Sequence, residues 1–400
     1  MANSLLTIDM ITRKSLEILE NNLVISRNCN RQYDDSFAVQ GAKIGSTLRI
    51  RLPDRALVTD GAALQVQDDN EQYTTLSVAS QKHIGINFTS AELTMQLDDF
   101  AERVLKPRIS QLASSIDADV ATAYKSIYNS VGTPGTTPGT SLVLLQAQQK
   151  LNEFATPMSP RYATVNPAAN AGLVEGMKGL FNPTDTVSRQ FKNGMMGTGV
   201  LGFDEINMSQ SIGMHTTGAW GTTITSTGTL STQGQATLPI SFTGSSKTWK
   251  QGDVFTIADV YAVNPQTRQS TGSLQQFVVT ADLTASSTGT LSISPAIYTA
   301  DHALATVDAF PQATAVVTML GSASTQYAQN LSYHKDAITL ATADLLLPQG
   351  VDMASRQTHN GISMRIVRQY DINNDRMPCR VDVLYGYAAI RPSMATRIWG

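Results

Sequence analysis

The stretch PRISQLASSIDADVATAYKSIYNSV (107–131) carries the strongest helical pattern of the chain. Apolar side chains recur in it every three or four residues from Ile109 to Val131, the spacing of one face of an α-helix. At 1.5 Å per residue, this predicts one apolar stripe along about 35 Å of helix. Pro107 suits the first turn, where its missing N–H group costs nothing. The run GTPGTTPGT (132–140) then ends the helix.

A long extended hairpin is predicted upstream of this helix. GSTLRIRLP (45–53) and ALVTDGAAL (56–64) are typical of strands separated by Gly and Pro, and QVQDDNEQY (65–73) is typical of a polar tip. TLSVASQKHIGINFT (75–89) returns with alternating apolar and polar residues. Because a two-stranded excursion is marginally stable alone, it invites pairing with another chain.

Two more helical patterns flank the hairpin. Residues 90–104 continue the apolar spacing upstream of Pro107. Residues 3–26 predict an amphipathic arm, and its apolar positions are Ile8, Ile11, Leu16, Leu19 and Leu23. The polar stretch RNCNRQYDDSF (27–37) after the arm is not expected in the core. A helix isolated in this way needs a partner to bury its stripe.

Residues 141–215 alternate between helical and strand patterns. LVLLQAQQKLNEFA (142–155) and AGLVEGMKGLF (171–181) predict helices, and RYATVNPAAN (161–170) predicts a strand that runs into a turn. Residues 326–400 return to mixed character and contain several strand patterns. We expect these late strands to complete a domain that begins earlier in the chain.

Residues 216–325 differ in composition from the rest. Only eight of these 110 residues are charged, about half the density of the whole chain. Ser and Thr are abundant, and the segment STGTLS occurs at both 226–231 and 287–292. Short runs rich in β-branched residues, such as VFTIADVYAV (254–263), alternate with Gly, Ser and Asn turns. The pattern predicts an inserted all-β domain, a small barrel or sandwich.

The charge content points to a protein whose surface is covered by neighbours. Charged residues make up 15% of the chain, against about 25% in a typical globular domain. The formal net charge is -3, from 29 basic and 32 acidic residues. Dedicated nucleic-acid binding needs a basic surplus to displace counterions from phosphates, so this balance argues against it.

The cysteines and the first residues indicate the compartment. Cys29 and Cys379 lie far apart in unlike contexts, which predicts two reduced structural thiols. MANSLLTIDM (1–10) lacks the basic and apolar regions of a signal peptide. No apolar run approaches the roughly 20 residues that span a bilayer. We therefore expect folding in a cytoplasm, without a membrane partner.

Two segments imitate ligand-binding motifs. GTGVLG (197–202) matches G-x-G-x-x-G, but a strand-like stretch follows it where a phosphate-binding loop would open a helix. DINNDRMPCRVD (371–382) has several ligand positions of a calcium loop, but Arg376 stands where the required glycine should be, and Pro378 follows. The first predicts a loop and the second a hairpin turn.

No other pattern nominates a site for chemistry. The chain lacks a G-K-S/T phosphate loop, an H-E-x-x-H motif and a nucleophile elbow. The histidines are scattered without metal-ligand spacing, at His83, His215, His302, His334 and His359. The sequence therefore predicts no catalytic, cofactor-binding or metal site and no cofactor.

The order of arm, hairpin, long helix, α/β segment and β-rich closing segment resembles the Hong Kong 97-like major capsid fold of tailed phages and herpesviruses. A closer resemblance is to coat proteins of short-tailed phages (podoviruses) that carry an inserted β-barrel domain. The residues that carry it are WKQGDVFTIADVYAVNPQTRQSTGSLQQFVVT (249–280), with Lys250, Gly252 and Asp253 as in a K/R-x-G-D signature, YHKDAITLATADLLLPQG (333–350) and RVDVLYGYAAIRP (380–392).

The resemblance implies an α+β fold with named parts. These are an N-terminal arm (1–36), an extended loop (37–89), a spine helix with peripheral domain (90–140), an axial domain (141–215), an inserted β-barrel domain (216–325) and a return to the axial and peripheral domains (326–400).

The resemblance also implies a function and partners. Copies of the chain would form hexamers and pentamers of an icosahedral shell around double-stranded DNA, with a scaffolding protein and a portal taking part in assembly. Assembly would take place in the cytoplasm of a bacterial host, and the protein would end in the virion. A charged patch before the spine helix either bridges subunits or forms a solvated helix face, and its members are Glu92, Asp98, Asp99, Glu102, Arg103, Lys106 and Arg108.

Three alternatives stay open on the sequence alone. A tail or decoration protein would use the β-rich segment to bind a partner, but the strong helix at 107–131 counts against it. An encapsulin-like compartment shares the fold but not the inserted segment. An enzyme would need a catalytic constellation, and no pattern supplies one.

Overall fold

The structure, a computed structural model, is α+β with mostly strands. It describes residues 8–33, 46–59, 61, 62, 64, 66, 71–88, 105–177, 197–228, 230–372 and 377–399. The helices in these ranges are α1 (Ile8–Asn22), α2 (Lys106–Ala121), α3 (Ser141–Glu153) and α4 (Pro167–Met177). Short 3-10 helices occupy Ser26–Asn28, Thr122–Ser126, Lys335–Ala337 and Pro392–Met394.

Strands account for most of the regular structure. In chain order they are β1 (Ser46–Arg51), β2 (Tyr73–Val78), β3 (Ser80–Phe88), β4 (Ser130–Val131), β5 (Arg161–Val165), β6 (Gly197–Val200), β7 (Phe203–Met208), β8 (Met214–Thr216), β9 (Thr222–Ser226), β10 (Gln235–Thr243), β11 (Lys247–Trp249), β12 (Val254–Val263), β13 (Ser270–Val279), β14 (Leu283–Ala285), β15 (Thr288–Ile297), β16 (Val317–Met319), β17 (Gln326–His334), β18 (Ile338–Ala343), β19 (Met353–His359), β20 (Ile362–Arg368), β21 (Met377–Ala389) and β22 (Ala395–Trp399).

The chain divides into two compact units. Unit 1 comprises residues 1–50, 74–121 and 339–390, and unit 2 comprises residues 51–73, 122–338 and 391–400. The chain therefore passes between the units several times, and each unit is assembled from segments that are distant in sequence.

Unit 1 is built on a sheet of strand order β18-β21-β20-β19, with β3 also paired to β21. Helix α1 packs against α2, β19 and β20. Leu16 and Leu19 of α1 and Leu23, directly after it, are buried, so these members of the predicted apolar stripe are covered within the same unit. The tight turn between β19 and β20 is formed by Asn360 and Gly361, both with positive φ, as a two-residue hairpin of type I′ requires.

Three residues after α1, Asn28 to Asn30, are buried, contrary to the prediction for residues 27–37, of which 34–37 lie outside the described residues. Cys29 and Asn30 are buried, and Asn30 pairs in parallel with Thr339 at the start of β18. Composition predicted exposure because most neighbouring residues are polar. The buried polar groups are tolerated because they find hydrogen-bond partners, as the Asn30 carbonyl does in accepting from the Leu340 N–H group.

Helix α2 is shorter than the apolar spacing predicts. Pro107 lies in its first turn, as expected, but the α-helix ends at Ala121 and continues as one 3-10 segment. Ile127 and Val131 are buried outside the helix, and Val131 belongs to β4. Apolar residues continue at intervals of three and four beyond Ala121 because the residues after the helix are also buried. The helix predicted at 90–104 lies outside the described residues.

Asp117 of α2 is a buried carboxylate that fixes the chain after α1. Its oxygens accept from the Val24 N–H group at 2.6 Å, the Ser26 N–H group at 3.0 Å and the Ser26 hydroxyl at 2.5 Å. Burial raises the pKa of Asp117, and these hydrogen bonds oppose the rise without cancelling it.

Replacing Asp117 by Asn removes one acceptor from this set, and we expect a loss of roughly 1–3 kcal/mol in unfolding free energy at neutral pH. A raised folded-state pKa gives stability that is fully present below the unfolded pKa, about 3.9, and is lost as pH rises through the folded pKa. The difference between Asp117→Asn and the natural chain should therefore grow as pH falls toward about 4. Urea titrations at a series of pH values test this, and a difference that shrinks on acidification contradicts it.

The extended loop differs in part from its prediction. Strands β1 and β2 pair as a two-stranded sheet, but ALVTDGAAL (56–64) forms no strand in its described residues. The returning segment 75–89 does not form one strand either. It divides into β2 and β3, and β3 joins the unit 1 sheet along β21.

Unit 2 contains a sheet of order β4-β22-β17-β5-β7-β6, to which β8 adds by pairing with β17. The late strands β17 and β22 complete a sheet that β4 and β5 begin, as the sequence predicts. Helix α3 agrees with the prediction at 142–155 to within two residues. Helix α4 begins at Pro167, inside the segment predicted as a turn, and residues 178–181 of the predicted helix lie outside the described residues. The core side chains of α3 and α4 include Leu144, Leu151 and Leu173, packed with Phe203 and Ile206 of β7.

A second sheet in unit 2, of order β16-β12-β13-β15-β10-β9, forms the six-stranded region. Its two outer strands meet, since the Ser226 N–H group donates to the Ala315 carbonyl at 2.9 Å and Thr225 bridges to Val316. The side chains inside form one apolar core. Its largest members are Phe242, Trp249, Phe255 and Phe277.

Candidate functional site: assembly surfaces

The G-x-G-x-x-G match at 197–202 is a hairpin turn. β6 and β7 are antiparallel neighbours, and the chain turns at Leu201 and Gly202, both with positive φ. The segment therefore connects two strands, where a phosphate-binding loop would connect a strand to a helix. The sequence predicts a loop at 197–202, but residues 197–200 form β6 and only Leu201 and Gly202 form the turn.

The calcium-loop match at 371–382 connects two paired strands. β20 and β21 are antiparallel, with Arg368 opposite Cys379, and residues 373–376 lie outside the described part. Asp382 is fully buried in β21, where Arg365 Nη2 donates at 2.7 Å and Arg380 Nε at 2.6 Å. Its carboxylate is thus engaged by two guanidinium groups, in a strand and not in a metal-binding loop.

The histidines occupy unrelated places. His83 lies in β3, and His302 stacks on Tyr298. His334 caps the 3-10 helix at Lys335, and His359 lies 3.2 Å from Glu20. His215 is buried. Among the described residues, no group of three or more His, Cys, Asp or Glu side chains could hold a metal ion.

The signature residues Lys250 to Asp253 form a turn organised by one carboxylate. Asp253 is buried and accepts from the Lys250 N–H group at 2.8 Å and the Gly218 N–H group at 3.1 Å. His215 Nε2 lies 2.9 Å from Asp253 Oδ1. Gly252 has a φ of +102°. The turn therefore joins the start of β12 to the segment after β8.

Both cysteines are buried free thiols, and neither is placed for reaction. Burial raises the pKa of Cys29 beyond the usual range and that of Cys379 to about 12. Because the thiolate is the reactive form, neither side chain is a nucleophile near neutral pH.

No helix in the described ranges is both long enough and apolar enough to cross a bilayer.

The charged patch before α2 is described only at its end. Lys106 is exposed and Arg108 is half-buried in the first turn of α2. The remaining five residues lie outside the described part of the chain, so the choice between subunit bridging and a solvated face stays a prediction.

The loop between β1 and β2 exposes large apolar side chains. Val58 is 82% exposed, Leu64 is 89% exposed and Val66 is 85% exposed, the highest values among the large apolar side chains that the structure describes. Large apolar side chains exposed on one loop indicate an interaction site, because leaving them in water is unfavourable. We call these three residues the loop patch.

A second exposed apolar set lies at one end of the unit 1 sheet. The loop from Asp344 to Asp352 is held there by three arginines, with Arg356 donating to the Leu345 carbonyl, Arg365 to the Leu346 carbonyl and Arg368 to the Asp352 carboxylate. The apolar side chains left exposed there are Leu346, Leu347, Met353, Tyr370 and Ile372. We call these five residues the strap patch.

Sequence reasoning found some of these features and missed others. It singled out Lys250, Gly252 and Asp253, but not His215 as the partner of Asp253. The strap patch was also missed, although three consecutive leucines at 345–347 in a loop are a detectable signal.

The chain is similar to known proteins. The family model "P22 coat protein - gene protein 5" matches residues 1–400. The major capsid protein of Acyrthosiphon pisum secondary endosymbiont phage 1 is 23% identical over 338 residues, 79% of each protein.

Two solved structures are also similar. A chain from Mycobacterium phage Che8 is 11% identical, with 94% of this chain and 90% of that chain covered and a TM-score of 0.47. The CUS-3 coat protein I-domain is 29% identical, with 25% of this chain and 96% of that chain covered and a TM-score of 0.20.

The assignment rests on the family model, because its match extends over the whole chain. The exposed apolar patches and the buried, unreactive polar groups agree with a structural role. The chain belongs to the P22 coat protein family and is a shell-forming major capsid protein of a bacteriophage virion, not an enzyme.

Proposed function

We propose that copies of this chain form hexamers and pentamers of an icosahedral shell around double-stranded DNA, and that the loop patch is a principal contact between copies. The observation that carries this is the exposure of Val58, Leu64 and Val66 on a loop between two paired strands. A coat subunit has identical copies as its most abundant neighbours, so a second copy is the occupant that covers such a patch.

We assign the parts of the family fold to the chain as follows. Residues 1–36 form the arm, 37–89 the extended loop, 90–140 the spine helix with peripheral domain, 141–215 the axial domain, 216–325 the inserted domain and 326–400 the return to the axial and peripheral domains. The bonds between β9 and β16 support a closed barrel for the inserted domain, and its separate core supports independent packing. We therefore propose that the protein belongs to the short-tailed phage branch.

The strap patch is assigned to a second contact between copies. Leu346 is 65% exposed and Ile372 is 79% exposed, within a rim that contains both arginines and aspartates. An apolar centre with a rim of both charges can pair with an identical surface, as contacts between identical subunits require.

Further partners follow from the family resemblance. A scaffolding protein and a portal take part in assembly, which occurs in the cytoplasm of the bacterial host. The enclosed DNA is held without sequence-specific contacts, which agrees with the formal net charge of -3.

Negative-stain microscopy of the purified protein, after sedimentation, tests the proposal with and without the scaffolding protein. We expect closed shells or partial shells several hundred ångströms across. A uniform small species under both conditions would contradict shell assembly by this chain and favour a tail or decoration role.

The variant Leu64→Ser/Val66→Ser tests the loop patch. Both side chains are exposed in the subunit, so its unfolding free energy should change by no more than about 0.5 kcal/mol per substitution. Full burial of one such side chain is worth about 1.5–3 kcal/mol, so the critical concentration for assembly should rise at least about tenfold. Light scattering during assembly measures this.

Val316→Ser in the six-stranded region is the matched control, because Val316 is also an exposed apolar residue, at 53%. It should assemble at the concentration of the natural chain. Normal assembly of the Leu64→Ser/Val66→Ser subunit would remove the loop patch from the proposal.

A further inference from the structure

The C-terminal strand β22 is a fully buried part of unit 2. All five of its residues, Ala395–Trp399, are buried. It lies between β17, to which it is antiparallel, and β4, to which it is parallel. A strand in this position has both edges paired and cannot be removed without opening the sheet.

Arg397 at the centre of β22 reaches out of the sheet to two other segments. Its Nε donates to the Tyr124 carbonyl at 2.9 Å, and its Nη1 donates to the Gly252 carbonyl at 2.7 Å. The guanidinium carbon lies 5.1 Å from the centre of the Tyr124 ring. Gly252 belongs to the turn that leads into β12, so one buried side chain connects the C-terminal strand to the six-stranded region.

A second set of contacts closes a ring of side chains around this connection. The Tyr124 hydroxyl lies 3.2 Å from His215 Nδ1, and His215 Nε2 lies 2.9 Å from Asp253 Oδ1. Asp253 follows Gly252, which completes the path back to Arg397. We call these five residues the junction ring.

The charges in the junction ring balance. Arg397 is the cation and Asp253 the carboxylate. Burial lowers the pKa of Arg397 to about 9, while Tyr124 and Asp253 oppose that shift, so the guanidinium stays charged at neutral pH. The two ring nitrogens of His215 face different partners, Nε2 the Asp253 carboxylate and Nδ1 the Tyr124 hydroxyl.

The turn has no room for another residue at its centre. A Cβ atom on Gly252 would lie 3.1 Å from His215 Cε1 and 3.3 Å from Lys125 Cγ. The φ of +102° at this position also disfavours any other residue. Glycine is therefore needed for the Gly252 carbonyl to reach Arg397.

We propose that Arg397 is a positioning residue that fixes the six-stranded region relative to the other sheet of unit 2, the sheet that contains β22. The C-terminal strand β22 would then set the geometry in which the subunit assembles. A buried ion pair is weak evidence for a stabilising role, because apolar residues of the same volume often stabilise a fold equally well. A guanidinium group fixes the relative position of its partners, because its planar donors bind two carbonyls from different segments at once.

The test compares Arg397→Lys with the natural chain in full-length protein. Lysine keeps the charge but lacks the fork, so it cannot hold the Tyr124 and Gly252 carbonyls together. Hydrogen exchange should become at least about tenfold faster at the Gly218 amide, which donates to Asp253, and at the Ser130 amide, which donates to Gln276. Exchange at Leu291, inside the six-stranded core, should not change.

Electron microscopy of the assembled Arg397→Lys protein measures shell geometry, which would not change if Arg397 only stabilised the fold. We expect aberrant or open shells from subunits whose six-stranded core unfolds at the same denaturant concentration as in the natural chain. Arg391→Lys, at a half-buried position in the same unit but outside the junction ring and both patches, is the control and should form normal shells.

Two outcomes would overturn the proposal. One is normal shells from Arg397→Lys with unchanged exchange at Gly218 and Ser130. The other is faster exchange throughout the six-stranded core, which would make Arg397 a stability residue only. Gly252→Ala, which strains the turn that presents the Gly252 carbonyl to Arg397, repeats the test if Arg397→Lys does not fold. Failure of shell formation by the natural chain would contradict the proposed function and not this inference.

Discussion

Replacing Phe277 by Ala is expected to lower the unfolding free energy of the six-stranded region by about 3–5 kcal/mol. The ring of Phe277 is fully buried and stacks on Phe255, with 5.7 Å between ring centres. The two residues face each other across β12 and β13. Truncation leaves a cavity that the surrounding strands cannot close, since both β12 and β13 are paired on each side.

Urea unfolding followed by tryptophan fluorescence measures this loss, because Trp249 lies in the same core and packs on Phe242. Val316→Ala is the matched control, since its side chain is half-exposed, and it should change the unfolding free energy by no more than about 0.5 kcal/mol. A loss below about 1 kcal/mol for Phe277→Ala would mean that this core is not packed as described.

The strands of the six-stranded region could be predicted because their sequence signals are local. VFTIADVYAV (254–263) was singled out from its β-branched and aromatic residues, and it coincides with β12. The low charge content marked the whole region, because uncharged polar residues such as Thr222, Thr223 and Gln233 occupy its exposed positions. Neither signal gives strand order, which depends on pairing between residues far apart in the chain.

Local patterns failed where burial came from a distant partner. Ile127 and Val131 continue a helical spacing, but both are buried outside the helix, and Val131 packs in a cluster with side chains of α3 and β22. Cys29 and Asn30 looked exposed because their neighbours are polar, yet β18 lies beside them. In both cases the deciding contacts involve residues that the local sequence does not reveal.

The junction ring shows the same limit for a candidate site. The resemblance directed attention to Lys250, Gly252 and Asp253, but their partners are remote. His215 precedes Asp253 by 38 residues, and Arg397 follows Gly252 by 145. Spacing rules for motifs apply within one element or turn, so a set gathered from four segments has no sequence signature.

Replacing Asp382 is expected to cause the second large loss of unfolding free energy. Its contribution to stability changes with pH in the opposite direction to that of Asp117. Burial alone would raise the pKa of Asp382, but the hydrogen bonds and charges of Arg365 and Arg380 outweigh it and lower the pKa. Replacing Asp382 by Asn leaves two guanidinium groups without their carboxylate. We expect a loss of about 3 kcal/mol at neutral pH, the low end of the range for a broken buried pair, because Arg380 is half-exposed.

The sign of the pH effect follows from the lowered pKa of Asp382. Its contribution is present above the unfolded pKa, about 3.9, and is lost as pH falls through the lower folded value. The difference between Asp382→Asn and the natural chain should therefore stay constant from neutral pH to about pH 5 and shrink below about pH 4. Urea titrations of the unassembled subunit measure it. Asp352→Asn, in an exposed pair with Arg368, is the control and should cost no more than about 1 kcal/mol. A difference at Asp382 that grows with acid would mean that burial, and not the two arginines, governs this carboxylate, as it does at Asp117.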